Sequence, residues 1–254
     1  MMGLVGFRTL LIREVKRFLR IPTQTVGAPV LSALLFLLIF GSVIGGRVGD
    51  IADISYIEFI VPGLVMMNLI TSSMSNGTFS LFFQKFMNVM DDLLVSPLSY
   101  YEIVFAFMAA SMIRGLLIGS IVFLISIFFI GVQLFNPLAL LFFMIVTSSF
   151  FSSLGLLIGL YSEKFEQLEV LNVFLITPLI FLGGVFYSVK MLPETFQFLT
   201  QFNPFFYIVN GFRYSMIGIT EANLLVGGLI ITLATIVFFS AIVYLFKIGY
   251  KLRT

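Results

Sequence analysis

From Gly115 to Ser162 the chain carries no charged side chain, and only the Gln133-Leu-Phe-Asn-Pro137 break interrupts the apolar run near its middle. A soluble domain of this size has no core able to bury such a stretch. Each half is long enough to cross a hydrocarbon layer about 30 Å thick, and the break folds the second half back on the first. The stretch reads as two membrane-spanning helices in a hairpin, so function has to be sought in a membrane protein.

Composition supports that class. The chain of 254 residues is 60% hydrophobic and 10% charged, where a soluble domain carries about 25% charged residues. Cysteine and histidine are both absent, which excludes disulfides, thiol nucleophiles, a histidine proton relay and His-ligated metal. No G-x-x-x-x-G-K-[ST] occurs, so no nucleotide site of that type lies on this chain. The remaining carboxylates lie mostly near span ends or in loops. We expect neither an enzyme nor a metal site nor a nucleic-acid partner. The first apolar run, about Val26 to Gly45, has no small-x-small cleavage site after it and reads as a retained span.

The expected fold is an all-α membrane protein in a single domain over 1–254. Six spans are expected at 24–46, 58–80, 102–131, 137–161, 168–188 and 223–246. Ten of the 14 basic residues (Arg8, Arg13, Lys16, Arg17, Arg20, Lys85, Lys164, Lys247, Lys251 and Arg253) fall on the side of the N-terminus. Arg47, Lys190 and Arg213 fall outside, and Arg114 lies within a span. Cytoplasmic segments hold the excess of Lys and Arg, so both termini are expected in the cytoplasm. Between the fifth and sixth spans, 189–222 contains Pro193, Asn203-Pro204 and Arg213. Short re-entrant helices in the outer leaflet are the preferred reading. A seventh span over Pro204–Ile219 is the alternative, and would move Lys247, Lys251 and Arg253 outside.

Two amphipathic segments stand out. Over 4–22, Phe7, Leu11, Val15, Phe18 and Leu19 fall on one helical face and Arg13, Lys16, Arg17 and Arg20 on the other. That suits a helix lying in the inner headgroup region, as a topology anchor, a partner-docking helix or both. Over 81–96, Phe82, Phe83, Phe86, Val89, Met90, Leu93 and Leu94 recur at helical steps, opposite Gln84, Lys85, Asn88, Asp91 and Asp92, before Pro97 ends the pattern. Two adjacent acids sit poorly on an anionic membrane surface, so docking into a partner's groove is the natural alternative.

Arg114 is expensive in a span unless it is paired or faces water. It lines a path or gate, or it rests in a helix interface. Gly115/Gly119, Gly41/Gly45 and Gly155/Gly159 carry the G-x-x-x-G spacing of closely approaching helices, for which packing is the default reading. Phe is abundant and Trp absent, which tilts toward an apolar or lipidic cargo.

The order of these parts resembles the permeases of type-2 ABC exporters over essentially the whole chain. Phe59-Ile-Val-Pro-Gly-Leu-Val-Met-Met67 resembles the start of the family's second span, and Asp91-Asp-Leu-Leu-Val-Ser-Pro97 the end of its coupling loop. Thr177-Pro-Leu-Ile-Phe-Leu-Gly-Gly-Val-Phe-Tyr187, then Leu192-Pro193, Asn203-Pro204 and Gly211-Phe-Arg213, resembles its C-terminal signature. The likeness is strongest to bacterial inner-membrane permeases of unassigned substrate, akin to those of polysaccharide and drug exporters. It implies a homodimer among membrane lipids, over two copies of a separate ATPase that binds ATP and Mg. It implies a coupling helix at 81–96, with Phe82, Phe86, Asn88, Met90, Asp91, Asp92 and Leu93 facing that ATPase. It also implies a path or outer gate near Arg114, Glu58, Gly183, Gly184, Pro193, Pro204 and Arg213. Two rival readings are an ion-coupled carrier or channel gated by Arg114 and Glu58, and a non-transporting scaffold subunit.

Overall fold

The computed structural model describes residues 2–51, 54–131 and 134–252. Arg253, counted above among the cytoplasmic cations, and Gln133 lie outside them. The chain is 82% helical, with no strand among the described residues. We number the helices α1 (Met2–Leu19), α2 (Thr23–Arg47), α3 (Tyr56–Phe86), α4 (Met90–Val95) and α5 (Tyr100–Ile130). They continue with α6 (Pro137–Tyr161), α7 (Phe165–Leu182), α8 (Glu194–Thr200), α9 (Pro204–Ile217) and α10 (Leu224–Lys247). Among the described residues, α2, α3, α5, α6, α7 and α10 are the six helices long and apolar enough to cross a membrane. Helix α9 has 14 residues, a rise of about 21 Å, too short to cross alone. The two ends of the bundle are called inner and outer after the orientation read from charge.

Helix α3 is the axis of the bundle. It is the least apolar of the six and the most enclosed: 78% of its apolar stretch is buried, against 12% for α2, 17% for α7 and 22% for α10. Lipid cannot satisfy polar side chains, so the span richest in them goes to the middle. Asn68, Ser72, Ser73, Asn76, Thr78 and Ser80 are all buried there. Asn68 donates to the Leu64 carbonyl one turn back (2.9 Å), and the Asn76 amide reaches across to Ser111 on α5 (3.1 Å).

Small residues let the neighbours close on α3. A Cβ added at Gly155 or Gly159 of α6 would strike the carbonyls of Met74 and Thr78. One added at Gly77 would lie 2.8 Å from the Ser152 carbonyl. Gly115 and Gly119 of α5 face Ser73 and Leu69, while Gly41 and Gly45 of α2 face Ile57 and Tyr56. All three G-x-x-x-G pairs therefore serve packing against α3 within one chain.

The segment 81–96 is not one helix, and this corrects the expectation. Helix α3 runs on to Phe86 without a break. It closes in a Schellman turn, in which Asn88 N–H donates to the Lys85 carbonyl and Val89 N–H to the Gln84 carbonyl, both at 3.0 Å. Asn88 takes the left-handed conformation (φ 55°) that Asn tolerates better than most residues. The chain then turns into the short arm α4. The sides are also partly reversed. Gln84 and Lys85, expected on the polar outer face, are buried, whereas Phe83 and Phe86 are exposed.

Candidate functional site

At the inner end, Ser80, Gln84 and Lys85 are buried on the last two turns of α3. The Glu14 carboxylate of α1 is fully buried. It accepts from Ser80 Oγ (2.5 Å) and Gln84 Nε2 (3.1 Å). It also pairs with Arg17 Nη1 (2.8 Å) and Arg13 Nη2 (3.2 Å). The buried stripe of α1 is thus Leu10, Glu14 and Phe18, turned about one position from the expected apolar face. On the other side, Lys85 Nζ donates to the Leu160 carbonyl (2.5 Å) and the Ser162 carbonyl (3.1 Å). A cation there satisfies carbonyls that the end of α6 leaves free and meets the negative end of its dipole.

The expected coupling residues sort into two sets. Phe82, Met90 and Leu93 are buried. Met90 and Leu93 pack in one cluster with Leu10, Ile103 and Phe246, so their side chains are taken up within the chain and not presented on its surface. Phe86, Asn88, Asp91 and Asp92 are exposed. They share the surface with Met87 and with Val95, which is 84% exposed. Phe82 and Phe86 also pack edge-on against Phe165, the first residue of α7, with ring centroids 4.8 and 4.9 Å away.

At the outer end, Arg213 of α9 is fully buried. Its Nη2 donates to the Gly184 carbonyl (2.7 Å), and its guanidinium carbon lies 3.8 Å from the centre of the Phe59 ring. Nε and Nη1 have no hydrogen-bond partner among the described residues. Gly184 has φ 86°, a conformation that glycine adopts without strain, at the turn after α7 whose carbonyl Arg213 reaches. Gly183 backs onto Phe205, where an added Cβ would lie 3.0 Å from that residue's own. Pro204 opens α9 behind the Asn203 cap, whose side-chain oxygen accepts from Phe205 N–H (3.0 Å). The Pro193 carbonyl accepts from Phe196 N–H (2.9 Å) at the start of α8.

Gly183, Gly184, Arg213 and the start of α9 at Pro204 thus come together, with Phe59, the neighbour of Glu58, against the Arg213 guanidinium; Arg114 lies apart from them. Glu58 is half-buried at the outer start of α3. Arg114 is half-buried on α5, beside Gly115, which faces Leu69 and Ser73. Those residues lie roughly 17–22 Å along α3 from Glu58. Arg114 Nε is buried without a hydrogen-bond partner among the described residues.

Sequence reasoning missed three residues here. Glu14 was legible as the only acid among the basic residues of α1, but its burial depends on a neighbouring helix. Tyr56 Oη donates to the Phe186 carbonyl (3.0 Å). Glu221 accepts from Ser188 Oγ and from Val189 N–H (3.0 Å), while its own N–H donates to Asn210 Oδ1 (2.8 Å). It ties the turn after α7 to the turn after α9, and a lone acid in a loop carries no pattern that announces this.

The family profile described as "ABC-2 type transporter" matches residues 5–217. The chain is 38% identical over 220 residues to the inner membrane transport permease YadH of Escherichia coli K12, covering 87% of this chain and 86% of the relative. It is 26% identical over 190 residues to nodulation protein J of Rhizobium leguminosarum bv. trifolii, covering 73% of this chain and 71% of the relative. Membership implies a membrane subunit whose energy comes from a partner ATPase. By its helices, its packing and the match over most of its length, the chain belongs to the ABC-2 type transporter family.

Proposed function

We propose that this chain is the transmembrane subunit of an ATP-binding-cassette exporter of the bacterial inner membrane, with both termini cytoplasmic. Two copies form the path, and a separate ATPase carrying ATP and Mg supplies the energy. The cargo is amphipathic: lipid-linked, polysaccharide or drug-like. The observation that carries this reading is the inner surface at the end of α3 and along α4. Exposed Phe86, Met87 and Val95 lie there beside Asp91 and Asp92, an apolar patch with an acidic edge of the kind that docks into a protein groove. The homodimer is supported by the contrast between enclosed α3 and the little-covered α2 and α7. One copy fills its own interior, so a path fits best between two. Lipid covers what remains of the apolar surface.

The test is to place Phe86→Asp and Asp92→Lys in the chain, coexpress each with the ATPase and measure nucleotide hydrolysis and transport in vesicles. Both variants insert normally and lose transport-coupled hydrolysis. Normal transport by both removes the coupling surface from this position.

A further inference from the structure

The two residues that close α3 through their backbone also bolt it to its neighbours through their side chains. The Gln84 and Lys85 carbonyls accept the two hydrogen bonds of the Schellman turn. The Gln84 side chain holds Glu14 of α1, and the Lys85 side chain holds the end of α6. Three residues past Lys85 the chain turns left-handed at Asn88, and the arm α4 begins two residues later. Glu14, Gln84 and Lys85 are all buried, out of a partner's reach. Glu14 collects two hydrogen bonds from α3 and two arginine pairs from its own helix. A single exposed anchor would need far less.

We propose that Glu14 and Lys85 are positioning residues for energy coupling. They clamp the inner end of α3 to α1 and α6, so that a push on the arm moves three helices as one block instead of bending α3 alone. The proposal rests on the assignment of the 86–95 surface to the ATPase, and adds the route by which its movement enters the bundle. A buried carboxylate with four partners and a lysine on a helix end resist shear, because breaking either leaves a charge unpaired away from water. The exposed Lys251–Glu163 pair (2.8 Å) is a weaker tie on the same side of the bundle.

The experiment is hydrogen-exchange mass spectrometry on the complete complex with its ATPase, with and without Mg-ATP plus vanadate. In the parent, trapping changes exchange at 87–96, at 10–20 and at 157–164. In Lys85→Met the response at 157–164 is lost and that at 87–96 stays. In Glu14→Gln the response at 10–20 is lost and that at 87–96 stays. Lys85→Arg, which keeps the cation, retains all three. Should either neutral variant fail to assemble, Lys85→Gln and Gln84→Met probe the same contacts. If the neutral variants keep all three responses, the clamp carries no movement and the inference is wrong. Silence at 87–96 in the parent overturns the coupling surface itself, and the clamp with it.

Discussion

The two ends of α3 both bury charge, and they do so in opposite ways. At the inner end, Glu14 has four partners and Lys85 two carbonyls. At the outer end, Arg213 has one carbonyl and one aromatic face, with Nε and Nη1 left over. An unmade hydrogen bond in a buried site costs about 1–3 kcal/mol. The inner end is therefore fastened, and the outer end keeps donors in reserve, as a gate that changes partners would. Substitution should therefore cost more stability at the inner end than at the outer one.

The contrast can be broken or sharpened by substitution. The largest effect is expected where both ends depend on the same crossing. Gly155→Val drives a side chain into the Met74 carbonyl, costs about 3 kcal/mol or more, and leaves little monodisperse protein on size-exclusion chromatography. Glu14→Ala comes next. It removes the buried carboxylate, leaves the Ser80 and Gln84 donors without their acceptor, and lowers stability by about 3 kcal/mol, read as a fall in Tm in detergent. Lys85→Met removes a cation from two carbonyls and costs about 2 kcal/mol in the same assay. Arg213→Met is expected to change stability by less than about 1 kcal/mol, because a well-packed apolar chain replaces a poorly satisfied charge. Transport in vesicles should nonetheless fall. If Arg213→Met destabilises as much as Glu14→Ala, the two ends are alike and the gate reading loses its support.

Much of the framework was legible from the amino acids alone. Uncharged runs of bilayer length announce spans, because no other environment accepts them, and the hairpin around Asn136-Pro137 needs no tertiary information. The 81–96 segment shows where that legibility stops. Its 3.6-residue pattern is real, but in a membrane protein an apolar face can point outward and a polar one inward. Gln84 and Lys85 turn to buried partners while Phe83 and Phe86 face out, and periodicity cannot tell the two arrangements apart. The break at Asn88 carries no strong breaker such as Gly or Pro. The cluster of Gly184 and Arg213 was drawn from family resemblance, and the contact itself spans 29 positions. Arg114 was grouped with that cluster by the same resemblance, and distance along α3 separates them.

The most direct test of the account is to purify the tagged chain from its native membrane in mild detergent and quantify what accompanies it, beside the Asp92→Lys variant. The account predicts a soluble P-loop ATPase in equal amount with the parent chain and its loss from the variant. A parent chain that emerges intact and without any ATPase would contradict it.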